Sequence, residues 1–235
     1  MQLFIIRLCH RQSFLDVEVN DLTALHTNNT VADALLQQST AAKSAVSVLD
    51  EENGMMEEEP AYQMNLKYGS ITVYIGADDK QYVQQGENAP QQSGNLSITT
   101  NGSPTDNTIT IEGGTTGAKV TLSNVNIETT SDAAVSVSGN VELIIAGTNT
   151  NTLRSGTDHA GVEKADDNGT LTISGTGTLE AYGGQGGAGI GGARNKNAGN
   201  IVIESGTIKA NGGTWGAGIG GGCLLYTSDA ADDLT

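Results

Sequence analysis

The 235-residue chain holds two cysteines, three prolines and one tryptophan, and only 4% of its residues are aromatic. Each shortage excludes something. Cys9 and Cys223 lie toward the two ends, so the body from Asp16 to Gly222 carries neither a disulfide framework nor a thiolate metal site. With so few prolines, and glycines that do not recur at every third position, a collagen-like helix is excluded. No apolar run approaches the ~20 residues needed to span a bilayer, so no membrane insertion is expected. Positive charge is scarce as well: 11 Lys and Arg face 27 Asp and Glu, a net charge of −16. No basic stripe exists, and nucleic acid is not an expected partner.

The acidity is local. Asp50, Glu51, Glu52, Glu57, Glu58 and Glu59 form one run, whereas residues 107–222 carry ten acids against six bases. Residues 1–60 read as a disordered or partly helical N-terminal segment and linker, polar and rich in Ala, Ser, Thr and Gln, with a short helix expected over 31–47. Within it, Met1 to Leu15 has a short apolar run broken by Arg7, His10 and Arg11 and offers no small-residue cleavage site. It fits a mispredicted start or the remnant of an export signal better than a working signal peptide. At the other end, Cys-Leu-Leu-Tyr-Thr-Ser-Asp-Ala-Ala-Asp-Asp from Cys223 resembles the in-frame translation of a sequencing-library adapter. Residues 223–235 are therefore set aside as an artefact, and the natural protein is expected to continue past Gly222.

What the chain does have is glycine and short alternating runs. From Asn65, stretches such as Ile71-Thr-Val73-Tyr-Ile75 and Leu96-Ser-Ile98 alternate apolar and polar residues between Gly, Asn, Asp and Ser, which is the strand period. Residues 61–106 read as a β-rich lead-in that pairs with the first repeat and caps it, because terminal units of a repeat array are atypical. In residues 107–222 one unit repeats. Leu171 and Ile173 match Ile201 and Ile203 at an offset of 30, and Leu179, Ala181 and Ile190 match Ile208, Ala210 and Ile219 at 29. Each unit carries three β-type stretches, and the same order runs upstream with looser spacing. Val120/Leu122, Val125/Ile127 and Ala134/Val135 form one coil; Val141/Leu143, Leu153 and Gly161/Val162 form the next.

Three strands per coil of 20 to 30 residues, with 19 of the 32 glycines between 169 and 222 to make tight corners, predict an all-β fold. The expected architecture is a right-handed parallel β-helix, or β-solenoid, of about four coils. An antiparallel sandwich would give short strands too, but not a register that matches at 29 and 30 residues.

The candidate chemistry is sparse. Gly187-x-Gly189-x-x-Gly192 and Gly216-x-Gly218-x-x-Gly221 satisfy the dinucleotide fingerprint on paper, but they recur with the repeat and lead into no helix, so they read as corners. His159 sits near Asp158, Glu163, Asp166 and Asp167; a solvated loop is the better reading. A weak Ca²⁺ site from Asp158, Asp166 and Asp167 is the sharpest alternative, and no other cofactor is expected. Tyr182 and Trp215 lie in glycine-rich stretches of successive coils, where an exposed ring can stack on a sugar while Arg194, Asn195 and Asn197 supply hydrogen bonds. The two aromatics do not occupy equivalent repeat positions, which also allows simple corner packing. Arg154, Lys164, Arg194 and Lys196 read as isolated in loops, so no groove of clustered acids with a basic partner is expected.

Residues 65–222 resemble the glycine-rich repeat region of surface proteins from Gram-positive gut anaerobes, often described as carbohydrate-binding-domain-containing. The residues that carry the resemblance are Asn65-Leu-Lys-Tyr-Gly-Ser-Ile-Thr-Val73, Asn149-Thr-Asn-Thr-Leu-Arg-Ser-Gly156 and the two Gly-Ala-Gly-Ile-Gly-Gly copies. It implies a secreted, wall-associated β-helix at the bacterial cell surface, acting as an adhesin or glycan binder, and it specifies no catalytic residue. The expected function is non-catalytic binding of polysaccharide or of a host or cell-wall glycan. The alternatives are a structural stalk and, by analogy of fold alone, a polysaccharide lyase or hydrolase.

Overall fold

A computed structural model of the protein describes residues 62–165 and 168–223. The readings of residues 1–60, of residues 224–235 and of Asp166 and Asp167 lie outside the described residues. Among the described residues there is no α-helix, and so none long and apolar enough to cross a membrane. A single 3₁₀ turn, Leu66–Tyr68, is capped by the Asn65 side chain, which accepts from the Lys67 N–H at 3.0 Å.

The chain winds as a parallel β-solenoid. Four coils each contribute one strand to three faces. The first coil holds β7 (Ala118–Ser123), β8 (Asn126–Glu128) and β9 (Val135–Ser138); the second holds β10 (Val141–Ala146), β11 (Asn151–Arg154) and β12 (Val162–Lys164). The third holds β13 (Thr170–Gly175), β14 (Thr178–Tyr182) and β15 (Ile190–Gly191), and the fourth β16 (Asn200–Ile203), β17 (Thr207–Asn211) and β18 (Ile219–Gly220). Every strand of a coil pairs in parallel with its counterpart in the next. Ahead of them lie β1 (Tyr62–Asn65), β2 (Ile71–Ile75), β3 (Gln81–Gln85), β4 (Gln91–Gln92), β5 (Leu96–Thr99) and β6 (Ile109–Glu112). Here β1 and β5 extend the first face, and β2 and β6 extend the third. The strands β3 and β4 fold back antiparallel on β2.

Alternation decides which side chains enter. Inward residues stack into columns such as Leu96, Val120, Leu143 and Ile173 on the first face, and Ile71, Ile109, Val135, Val162 and Ile190 on the third; all are buried. Strand neighbours ~4.8 Å apart bring each methyl group against the like residue of the next coil. The pairs Leu171 with Ile201, Ala181 with Ala210 and Ile190 with Ile219 stand in register as the repeat predicts. One upstream pairing differs from a simple match of Val120 with Val141. Because β7 starts at the small inward residue Ala118, Val141 faces Ala118 and Leu143 faces Val120.

Two basic residues expected in loops are on strands. Arg154 ends β11 and points outward. Lys164 occupies the inward column of Val73, Ile111 and Val137 and is buried, its stem filling the column while Nζ donates to the Asn168 carbonyl at 2.6 Å. A lysine stem packs like an aliphatic side chain when its amine finds an acceptor, and that hides the inward position from a reading of polarity.

Candidate functional site

The second face and the corner after it bring acidic, basic and aromatic side chains together. Along the outward side of that face, pairing aligns Glu128, Arg154, Tyr182 and Asn211 in one column and Asn126, Thr152, Glu180 and Lys209 in the next. The Arg154 guanidinium carbon lies 3.8 Å from the centre of the Tyr182 ring, a cation–π contact that covers one ring face. The Tyr182 hydroxyl donates to Glu180 Oε2 at 2.9 Å, and Lys209 Nζ donates to Glu180 Oε1 at 2.8 Å. The Lys209 ammonium, followed by the Tyr182 hydroxyl, holds the Glu180 carboxyl below its ordinary range, so Glu180 is ionised at neutral pH and neutralises Lys209. Tyr182, half-buried and stacked under Arg154, is a packed ring rather than an open platform.

Four residues further along each coil the chain turns toward the third face. The registers beyond the turn make Asp158, Gly186 and Trp215 equivalent positions, and all three have left-handed backbone, with φ of 69°, 85° and 70°. Backbone bonds tie the corners together: the Asp158 N–H donates to the Gln185 carbonyl at 2.9 Å and the Gly186 N–H to the Thr214 carbonyl at 3.0 Å. The preceding residues Thr157, Gln185 and Thr214 form an exposed column of hydroxyls and an amide. Trp215 is 70% exposed.

The predicted site residues divide accordingly. Arg194, in the loop between β15 and β16, lays its stem where a Gly186 Cβ would stand, 3.0 Å from that point, and Arg194 Nη1 donates to Asp158 Oδ1 at 3.1 Å. The Arg194 N–H also donates to the Asp158 carbonyl at 2.8 Å. Asn195 and Asn197, exposed in the same loop, sit beside residues 221–223, with the Asn195 N–H bonded to the Cys223 carbonyl at 2.9 Å. The structure thus brings Asp158, Arg194 and the Trp215 column to one corner and leaves Tyr182 in the neighbouring strand column. Gln185 and Thr214 are additions that the sequence reading did not single out, and Arg154, read there as isolated in a loop, stacks on Tyr182. The 28-residue separation of Arg154 from Tyr182 becomes a contact only through the coil register.

For cation binding, the Asp158 carboxylate already accepts from Arg194, and among the described residues no three His, Cys, Asp or Glu side chains come together. His159 Nδ1 lies 2.9 Å from Glu163 Oε2, which also accepts from the Ala160 N–H at 3.1 Å. That carboxylate braces the corner backbone.

Stacked coils with apolar inward columns and polar corners make this chain a parallel β-solenoid. The family described as a beta helix repeat matches residues 171–194 and 201–223, within the third and fourth coils. No curated protein and no solved structure matches the chain.

Proposed function

We propose that the chain is a non-catalytic module of the bacterial cell surface that binds polysaccharide at the corner following the second face, with Trp215 as the stacking platform. The observation that carries this reading is the conformation of Trp215: a large aromatic, 70% exposed, at φ 70°, where the coil before it places glycine. A bulky residue in left-handed backbone is strained by about 1–3 kcal/mol and buries little here, so its presence is better explained by a ligand than by folding. An indole face with amides and hydroxyls at its side suits a sugar ring, whose apolar C–H face stacks while its hydroxyls hydrogen-bond.

The test pairs two variants of the full chain on a glycan array. Trp215→Ala should weaken a saturable hit by about tenfold or more, as loss of a central aromatic does. Trp215→Gly should do the same while raising the stability to heat by up to about 1 kcal/mol, since glycine relieves the φ strain. A hit incubated with excess protein should remain uncleaved. Binding that survives both substitutions would remove Trp215 from the site.

A second reading, a stalk that holds other domains away from the wall, is favoured by the outward columns of the other faces. Thr72, Thr110, Ser136 and Glu163 line one, and Ser97, Thr121, Ile144 and Ser174 another, with no aromatic ring in either. Absence of any glycan hit from folded protein would support the stalk.

A further inference from the structure

The corner column says more about the ligand than that it is a sugar. Thr157, Gln185 and Thr214 stand one per coil, all exposed, in a line parallel to the solenoid axis, and Trp215 flanks the far end of that line. Successive coils are one strand spacing apart, so the column runs about 10 Å from Thr157 to Thr214. A pyranose residue in an extended glycan advances by about the same step as a coil. Each sugar laid along the ridge therefore meets one hydroxyl or amide, and the last meets the indole.

Two cations near the ridge are held in ion pairs, and a third, Arg154, is stacked on the Tyr182 ring. Arg194, the cation beside Gly186, is ion-paired with Asp158, and Lys209 on the adjoining face is ion-paired with Glu180. Asp132 lies at the same corner one coil earlier, where its carbonyl accepts from the Gly156 N–H. Together with the ten acids against six bases of residues 107–222, this disfavours a polyanion. Glutamine and threonine side chains, which both donate and accept, are suited to uncharged sugar hydroxyls.

Resting on the glycan-binding reading above, we infer that the ligand is a neutral, extended polysaccharide that lies lengthwise along the ridge Thr157–Gln185–Thr214 and ends on Trp215. It spans three coils, about one sugar per coil.

The full chain carries a single tryptophan, so its fluorescence reports this site alone. Calorimetry and fluorescence titrations with xylo-, cello- and manno-oligosaccharides, from the monosaccharide to the hexasaccharide, are compared with oligogalacturonates of the same lengths. In the neutral series that binds, affinity should rise about tenfold between the disaccharide and the tri- or tetrasaccharide and then level off, consistent with one or two added hydrogen bonds. It should change less than about twofold between low and high salt, as expected for uncharged contacts. Gln185→Ala, an exposed position whose change leaves the fold intact, should weaken the hexasaccharide about fivefold and leave the monosaccharide unchanged. Affinity independent of length, indifference to Gln185→Ala, or tighter and salt-dependent binding of oligogalacturonate would overturn the lengthwise neutral ligand while leaving glycan binding intact. No heat and no fluorescence change with any of these glycans would overturn the glycan-binding reading itself, and this inference with it.

Discussion

Replacing Asn151 by alanine should lower the stability of the solenoid by about 2–4 kcal/mol, measured by urea or thermal unfolding, although the residue lies in no site. Asn151 is buried at an inward position of β11, in the column that holds Val125 before it and Leu179 and Ile208 after it. An amide there is tolerated only because all its valences are met. Its Oδ1 accepts from the Val125 N–H at 2.9 Å, and its Nδ2 donates to the Ala146 carbonyl at 2.8 Å and the Thr178 carbonyl at 3.2 Å. Those partners belong to three successive coils, so one side chain ties them together at the turn from the first face to the second. Val125 is fully buried, so the lost acceptor of its N–H is not replaced by bulk solvent. Leucine, the next residue in the column, fills the space but leaves the same groups unpaired, so Asn151→Leu should recover less than half of the loss.

Asn151→Asp separates the donor from the acceptor role. The carboxylate still accepts from Val125 but cannot donate to the two carbonyls, and burial raises its folded pKa above the unfolded value of about 3.9. A group with a raised folded pKa favours folding in its protonated form. The variant should therefore be most stable below pH ~4, where a protonated Oδ can donate to one carbonyl, and lose stability as pH rises through the unfolded and then the folded pKa. A variant whose stability is independent of pH between 4 and 7 would mean that the site admits water.

How far such features can be read beforehand depends on whether they recur. The coil, the three strands within it and the inward set were legible because Leu171, Ile173, Leu179, Ala181 and Ile190 return at a fixed offset, and a period of two inside each stretch assigns the inner face. Single-copy features were not legible. Nothing in the sequence marks Asn151 as inward, since an asparagine among threonines is as much a turn signal, and only the stacking of Val125, Leu179 and Ile208 reveals the position. Lys164 fails for the same reason: its charge argues for solvent, while Val73, Ile111 and Val137 in its column argue for the core. The candidate site was half legible. Trp215 and Arg194 stand out by type, but that Arg194 reaches over the bare Cα of Gly186, and that Gln185 and Thr214 align in the column next to that of Trp215, are properties of the three-dimensional register.

The corner that carries the site has a second requirement, and Gly184→Ala should expose it with a loss of at least about 3 kcal/mol, or about 10 °C in Tm. Thr130, Gly156, Gly184 and Gly213 form one column, two residues past the paired ends of β8, β11, β14 and β17. A Cβ on Gly184 would stand 1.8 Å from the Gly156 carbonyl oxygen, and one on Gly213 would stand 1.8 Å from the Gly184 oxygen. These are backbone atoms, held by the bond from the Gly184 N–H to the His159 carbonyl at 2.9 Å and that from the Gly213 N–H to the Gly187 carbonyl at 3.0 Å. No side-chain rotation relieves the overlap, so the coils must separate locally and give up pairing at β14. Conformational freedom is not the issue at Gly184; the issue is space. Gly86 supplies the contrast: its φ is 55° but nothing lies within 4 Å of the Cβ position, so Gly86→Ala should cost about 1 kcal/mol from backbone strain alone. Equal losses at the two positions would show that the corner relaxes, and the ridge of Thr157, Gln185 and Thr214 would then not be a rigid line. A loss at Gly184 several times that at Gly86 means that close backbone contact between coils sets the spacing at which the ridge presents its side chains.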